Sequence, residues 1–496
     1  MGEEGEGCVK RSLLLGLFFI CTALFSVFLA IEKVDRGKED IVIVQEVLAG
    51  DPEAAAGVTL RIPSHWDGHL LWDTEYTVGS GNGAKSKFSY SHRQTDWYLP
   101  VNVSAALDFQ HASRFGSACT DTGGYWSMEN WETEPYGDIL QEAVRQTAPG
   151  ETYEVSIEIK DYYVNYPLVF WLEGHSTMYV DMYDEACGYL TEYFHIPTAG
   201  DRLELTVEKE PKGETFSFEG SVAYGNGKIV IADSSAEGDH GIYYAYCLED
   251  ALTREWVDRG QNQGIFYFPF PSAGDGIWHV DLTEVRKECE LPEGAVPLEM
   301  KRDEGSRRLY LAVREKEGYS LCIYQEEEDG LALVQKIGVN RENLSGNFSY
   351  LKEIEDNKDY GEDDAYGPLP YFCGMFLTEG GVLLTWSDGS FSFAAEEEGR
   401  YERWCDGMFP AGQEGDYGKI VFPWKNVCVF DGERLLLAAY ERRESLNVVL
   451  AVYGQEGQRY GGLYRHSSEG DWDGGFSAPG ITPQGSKKEM LELTVR

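Results

Sequence analysis

Two segments carry the residue types from which a sugar-binding or hydrolytic site could be built. The first is GSACTDTGGYWSMENWETEPYG, residues 116–137, where Tyr125, Trp126, Trp131 and Tyr136 stand among Glu129, Glu132 and Glu134. Aromatic faces stack on sugar rings, and two carboxylates roughly 5 to 9 Å apart are the pair that glycoside hydrolysis requires. The second is residues 340–370, where Tyr360, Asp363, Asp364 and Tyr366 cluster. Recognition concentrates on loops held by a rigid scaffold, so both are candidate ligand-contacting segments. The competing reading is that the aromatics pack each loop onto the domain while the acids face water.

Other chemistries find less support. A serine hydrolase would show GxSxG, and that pattern is missing from the chain. His65 and His69 in HWDGH are not on a helical face, as a zincin pair would be, and read as turn residues. GSGNG at Gly79–Gly83 lacks the spacing of a phosphate-cradling loop and reads as a hairpin tip. The Asp-rich stretches 356–364 and 471–473 offer oxygens that would suit Ca²⁺, but follow neither calcium-loop pattern. No CxxC pair occurs, so neither a zinc site nor a thioredoxin-like pair is expected. Cys247, Cys322 and Cys428 sit in apolar strand patterns and read as buried thiols. No catalytic residue, metal or cofactor is assigned.

The 496 residues include 85 acidic and 42 basic ones, a formal net charge of −43. Nucleic-acid binding rests on clustered Lys and Arg that neutralise phosphates, and no basic stripe is present. A glycan or a protein is the partner class left open. Thirty-one Tyr, 23 Phe, 12 Trp and 56 Gly point to aromatic strands joined by glycine turns.

Residues 13–31, LLLGLFFICTALFSVFLAI, carry no charge. Nineteen helical residues reach roughly 28 Å, close to a bilayer's apolar thickness, and Phe28 and Leu24 spoil the nearest cleavage sites. An uncleaved single-pass anchor is expected, with a tail over 1–12 and a linker over 32–40. Lys10 and Arg11 abut the apolar core, which favours a cytoplasmic N-terminus and an extracytoplasmic domain.

The elements that would position the candidate loops are almost all strands. One short helix is expected near 138–147, where Ile139, Leu140, Ala143 and Val144 share a face behind Asp138. Residues 41–215 are β-rich, as blades or a separate sandwich. Residues 216–496 repeat a unit of apolar strand, tight turn, stronger apolar strand and further aromatic strands, with copies from Ser221, Arg307, Met375 and Val427. Asn-Gly, Asp-Gly and Gly-Gly turns suit hairpins. Repeats of three or four antiparallel strands imply an all-β fold, a β-propeller with two β-sandwiches as the alternative. LELTV at Leu491 repeats LELTV at Leu203, and a final strand pairing with N-terminal material would close such a fold.

The segments GDPEAAAG at Gly50–Gly57, HLLWDTEYTVG at His69–Gly79 and Trp386-Ser-Asp-Gly389 resemble a type of exported protein with an N-terminal anchor and a propeller-like domain. The resemblance implies that architecture and supplies no activity. A membrane-tethered binding or assembly protein is the function expected, and a membrane-anchored glycan-active hydrolase is the alternative.

Overall fold

The computed structural model describes residues 15–29, 31–32, 41–90 except 67–69 and 82, 102–107, 137–212 except 167, 175–177, 182–189, 191 and 199, 216–269 except 226 and 252, 284–339 except 317 and 329, 372–409 except 387 and 388, 420–421, 427–466 except 443–445, 476–477 and 491–495. Strands dominate, and they pair antiparallel within sheets of three to six. The chain forms two compact units, residues 1–98, 378–391 and 404–496 in one and 99–377 and 392–403 in the other.

In the first unit both ends of the described β region are tied into sheets by distant strands. Glu492–Val495 pairs with Val58–Trp66, placing Leu493 opposite Leu60. Ile43–Gly50 pairs with Gly457–His466, the last strand of the hairpin series that begins at Leu435. Ile43, Leu60, Ile62, Leu436, Leu450 and Tyr464 share the core between these sheets. Its buried hydroxyls are satisfied internally, since Tyr460 and Tyr464 bond at 2.9 Å and Gln45 bridges Tyr460 to Tyr76. GDPEAAAG is explained locally. Gly50 has φ 70°, and a Cβ there would lie 2.0 Å from the Arg459 carbonyl oxygen. Asp51 then caps a 3₁₀ turn over Pro52–Ala55 by accepting the Glu53 N–H at 3.0 Å, and Ala55 is buried.

The second unit holds a sheet of Arg202–Lys209 flanked by Thr152–Glu158 and Phe216–Ala223. Alternation along RLELTVEK buries Leu203, Leu205 and Val207 on one face, and the helix Gly137–Gln146 covers that face with Leu140 and Ala143. Phe216–Ala223 pairs with Arg202–Lys209, whereas Ile229–Glu237 pairs with Gly241–Asp250. The copy expected from Ser221 is therefore split between two sheets, and the segment between its strands closes no hairpin. A period of two specifies a strand's faces and leaves its partner open.

Polar residues interrupt several otherwise apolar strands, and packing explains them. Asn102–Leu107, Ile229–Glu237, Val296–Asp303 and Phe372–Thr378 each lie at the edge of a sheet. Side chains join them laterally. Val103 N–H donates to Ser235 at 3.0 Å, Ala105 N–H to Asp233 at 2.8 Å, and Met300 N–H to Ser234 at 2.8 Å. Met375 N–H donates to Glu299, and the Lys301 ammonium to the Met375 carbonyl. Backbone groups that a sheet edge leaves open are thereby satisfied.

Among the described residues no helix is long and apolar enough to cross a membrane. Residues 15–29 and 31–32 are helical, and the remaining positions of 13–31 lie outside the described residues. The described helix is thus shorter than the spanning helix expected from the sequence. Its large apolar side chains from Leu15 to Leu29 are 47–66% exposed.

Candidate functional site

Tyr125, Trp126, Glu129, Trp131 and Glu132 lie outside the described residues, as do Tyr360, Asp363, Asp364 and Tyr366. The stretches 356–364 and 471–473 considered for Ca²⁺ lie outside them too. Among the described residues no three His, Cys, Asp or Glu side chains are grouped to hold a metal ion. Cys247 and Cys322 are buried free thiols, and burial pushes the Cys322 thiol up to about 12.

A polar cleft of about 390 Å³ opens where the sheet of Arg308–Glu315, Gly318–Glu327 and Gly330–Val339 meets the start of Arg400–Met408. Each wall is set by turn chemistry. Before Arg308, Asp303 accepts the Gly305 and Ser306 N–H groups at 3.2 and 3.1 Å and the Ser306 hydroxyl at 2.6 Å. Arg307 adopts φ 54° there, and Gln325 donates to the Ser306 and Arg307 carbonyls. On the other wall Glu398 and Gly399 both have positive φ, 51° and 82°, which is how a two-residue hairpin turn matches strand twist. That turn releases Arg400 and Tyr401 into the cleft.

The cleft is braced by a chain of hydrogen bonds. Arg308 donates to Glu396 at 2.7 Å and to the Gly399 carbonyl at 3.3 Å. Tyr401 donates its hydroxyl to Glu396 at 3.0 Å and lies 2.8 Å from the Tyr310 hydroxyl. Gln335 accepts the Tyr401 N–H at 2.9 Å and donates to the Tyr401 carbonyl at 2.5 Å, so an amide side chain occupies the strand's open edge. Burial opposes the charge on Arg308, yet Glu396 and Tyr401 hold its pKa above the ordinary value. Arg400 is exposed and makes no hydrogen bond or ion pair among the described residues. Val334 is 54% exposed and sits at a shift of register, where Tyr324 faces Leu333 and Ile323 faces Gln335. Among the described residues the cleft thus offers an unpaired guanidinium, an apolar wall and one lining carboxylate, Glu402. The charge and shape of that lining suit an anion, and the described lining holds no pair of carboxylates of the kind glycoside hydrolysis uses.

None of these residues was singled out from sequence, although a signal existed. Arginine recurs one or two positions behind turn glycines, in Gly305-Ser-Arg-Arg308, Gly399-Arg400, Gly432-Glu-Arg434 and Gly457-Gln-Arg459. In so acidic a chain, that placement is conspicuous.

Asp233 is a half-buried carboxyl held between two hydrogen-bond donors. Burial raises its pKa to about 6, against the opposing hydrogen bonds from Ala105 N–H and the Tyr244 hydroxyl. A carboxyl with a raised folded pKa stabilises the fold most below its unfolded value near 3.8, and that contribution is lost as pH rises through about 6. Asp233→Asn keeps an acceptor for Ala105 and carries no charge. Its stability relative to the parent is expected to improve by up to about 3 kcal/mol between pH 4 and pH 7, read from denaturant midpoints across that range.

No family model and no curated protein matches the sequence. Among solved structures, the chain is similar to a Lactobacillus plantarum protein at 15% identity and TM-score 0.26, over 53% of this chain and 62% of that one. The chain thus spans 62% of that protein's length. The periplasmic gluconolactonase of Pseudomonas aeruginosa matches at 10% identity and TM-score 0.24, over 81% of each chain. The β-propeller domain of Swd1 from Myceliophteria thermophila matches at 10% identity and TM-score 0.19, over 53% of this chain and 92% of that one. Scores this low establish neither a common fold nor a common activity.

Proposed function

We propose that the chain is a membrane-tethered, propeller-like binding protein whose polar cleft takes a small anionic ligand, a carboxylate-bearing sugar being the class that fits. The observation that carries this reading is the Arg400 guanidinium, unpaired among the described residues, beside an Arg308 already bound to Glu396. A carboxylate would accept from Arg400 and a sugar ring would lie against Val334, with Gln325 and Glu402 in reach of its hydroxyls. Titration of the full chain in detergent with glucuronate, followed by calorimetry, tests it. Glucuronate is expected to bind and glucose to bind more weakly. Arg400→Ala is expected to weaken glucuronate about tenfold through loss of one charge-assisted contact. Equal affinity of the two sugars, or of the variant and parent, would remove the cleft from consideration.

Tethering is supported by the helix over 15–29. Thr22 and Ser26, the polar side chains of the apolar run, donate to the carbonyls of Phe18 and Thr22 at 2.8 Å each, so the hydroxyls are satisfied within the helix. That is what an apolar surrounding demands. The propeller reading is supported by the side-chain links between edge strands of successive sheets and by the pairing of Glu492–Val495 with Val58–Trp66. Extracytoplasmic placement rests on Lys10 and Arg11. Protease added to intact cells is expected to digest the β region, and its full protection would reverse the sidedness.

A further inference from the structure

A second concave surface lies apart from the polar cleft. The helix Gly137–Gln146 and the strand Thr152–Glu158 enclose a groove of about 430 Å³. The strand is the last of its sheet, and its inner edge pairs with Arg202–Lys209 in unbroken register. Among the described residues nothing pairs with its outer edge. Exposed edges are usually blunted by lysine, proline or a bulge, because open N–H and C=O groups invite another strand. TYEVSIE has none of these. Ile139 and Tyr153 are 36% and 38% exposed, and with Val155 they give the groove an apolar lining.

Charge names the occupant. Asp138, Glu142 and Glu154 line the groove, and among the described residues no Lys or Arg lines it. Glu142 is engaged by Arg145 at 2.9 Å and Gln146 at 3.0 Å, which leaves Asp138 and Glu154 without an ion pair among the described residues. We propose that the groove binds an extended basic polypeptide segment, which adds to Thr152–Glu158 as a further strand. Its alternate apolar side chains would face Ile139 and Val155, on the side that also carries Asp138, and the Lys or Arg residues between them would lie on the opposite face with Glu154. Strand addition supplies affinity through the main chain and specificity through alternate side chains.

The test uses the full chain in detergent and a labelled ten-residue peptide of alternating lysine and valine, with binding read by fluorescence anisotropy. A second peptide of the same sequence is N-methylated at every residue, which keeps its charge and removes the backbone donors of both edges. Saturable binding of the first and loss of the second are expected. Asp138→Lys with Glu154→Lys is expected to weaken the first peptide about tenfold at low salt, as two reversed surface charges would. Equal binding of the N-methylated peptide would mean that general acidity attracts the probe, and would overturn the proposal. Absence of binding, or unchanged affinity of the double variant, would overturn it as well. The two-peptide comparison needs no variant, so it stands even where the charge reversals disturb folding.

Discussion

Asp201→Ala is expected to destabilise the protein by about 3 to 5 kcal/mol, the cost of leaving a buried charge without its partner. Asp201 is fully buried, and Arg259 is 8% exposed. The carboxylate accepts from the Tyr166 hydroxyl at 2.5 Å, from Gly225 N–H at 2.8 Å and from the Arg259 guanidinium. It therefore pins three separate segments to the start of Arg202–Lys209. Arg259 Nε already lacks a partner, so the variant would strand the whole guanidinium. Denaturant unfolding followed by circular dichroism measures the loss. Adding Arg259→Met is expected to recover part of it, because an apolar replacement removes the stranded charge. A double variant no better than Asp201→Ala would show that the loss comes from Tyr166 and Gly225 and not from the arginine.

Phe194→Ala is expected to cost about 3 to 5 kcal/mol as well, for a different reason: it opens a cavity at the centre of an aromatic cluster. Phe194 is 1% exposed, and its ring lies 4.7 Å from Phe266, 5.0 Å from Tyr246 and 5.2 Å from Phe170 between centroids. The Phe266 and Tyr246 contacts are edge-to-face, a geometry that adds to the burial energy. Its carbonyl also accepts from Asn262 N–H at 3.1 Å and from the Tyr246 hydroxyl at 3.3 Å. Loss of near-ultraviolet dichroism from the surrounding tyrosines should accompany a lower unfolding midpoint. Phe194→Leu is expected to lose much less, and a loss equal to that of alanine would argue against the cavity account.

Legibility in the sequence followed the range of the interaction. The hairpins at Gly380, Gly399 and Gly432 could be read because positive φ at a turn glycine is decided within a few residues. The polar cleft could not, because Arg308 and Arg400 are 92 positions apart and meet only when two sheets are in place. Gln335 shows the difficulty most plainly. In sequence it is one polar residue in LALVQKIGV, and only the nearby Tyr401 backbone gives its amide a purpose. Asp233 likewise reads as an interruption of the apolar run IVIADSS until Ala105 and Tyr244 are found against it.

By itself the sequence determined the strand-dominated build, the short helix near 138–147, the apolar run at 13–31 and the strong net acidity, since each follows from local period, turn chemistry or summed charge. Tertiary structure alone decided which strands share a sheet. It sent Phe216–Ala223 to Arg202–Lys209, tied Glu492–Val495 to Val58–Trp66, and left Thr152–Glu158 with no strand on its outer edge among the described residues. The physical reason is that every strand offers the same backbone groups at the same spacing. Its partner is chosen by which buried faces and side-chain links fit together, and those come from residues far away in the chain.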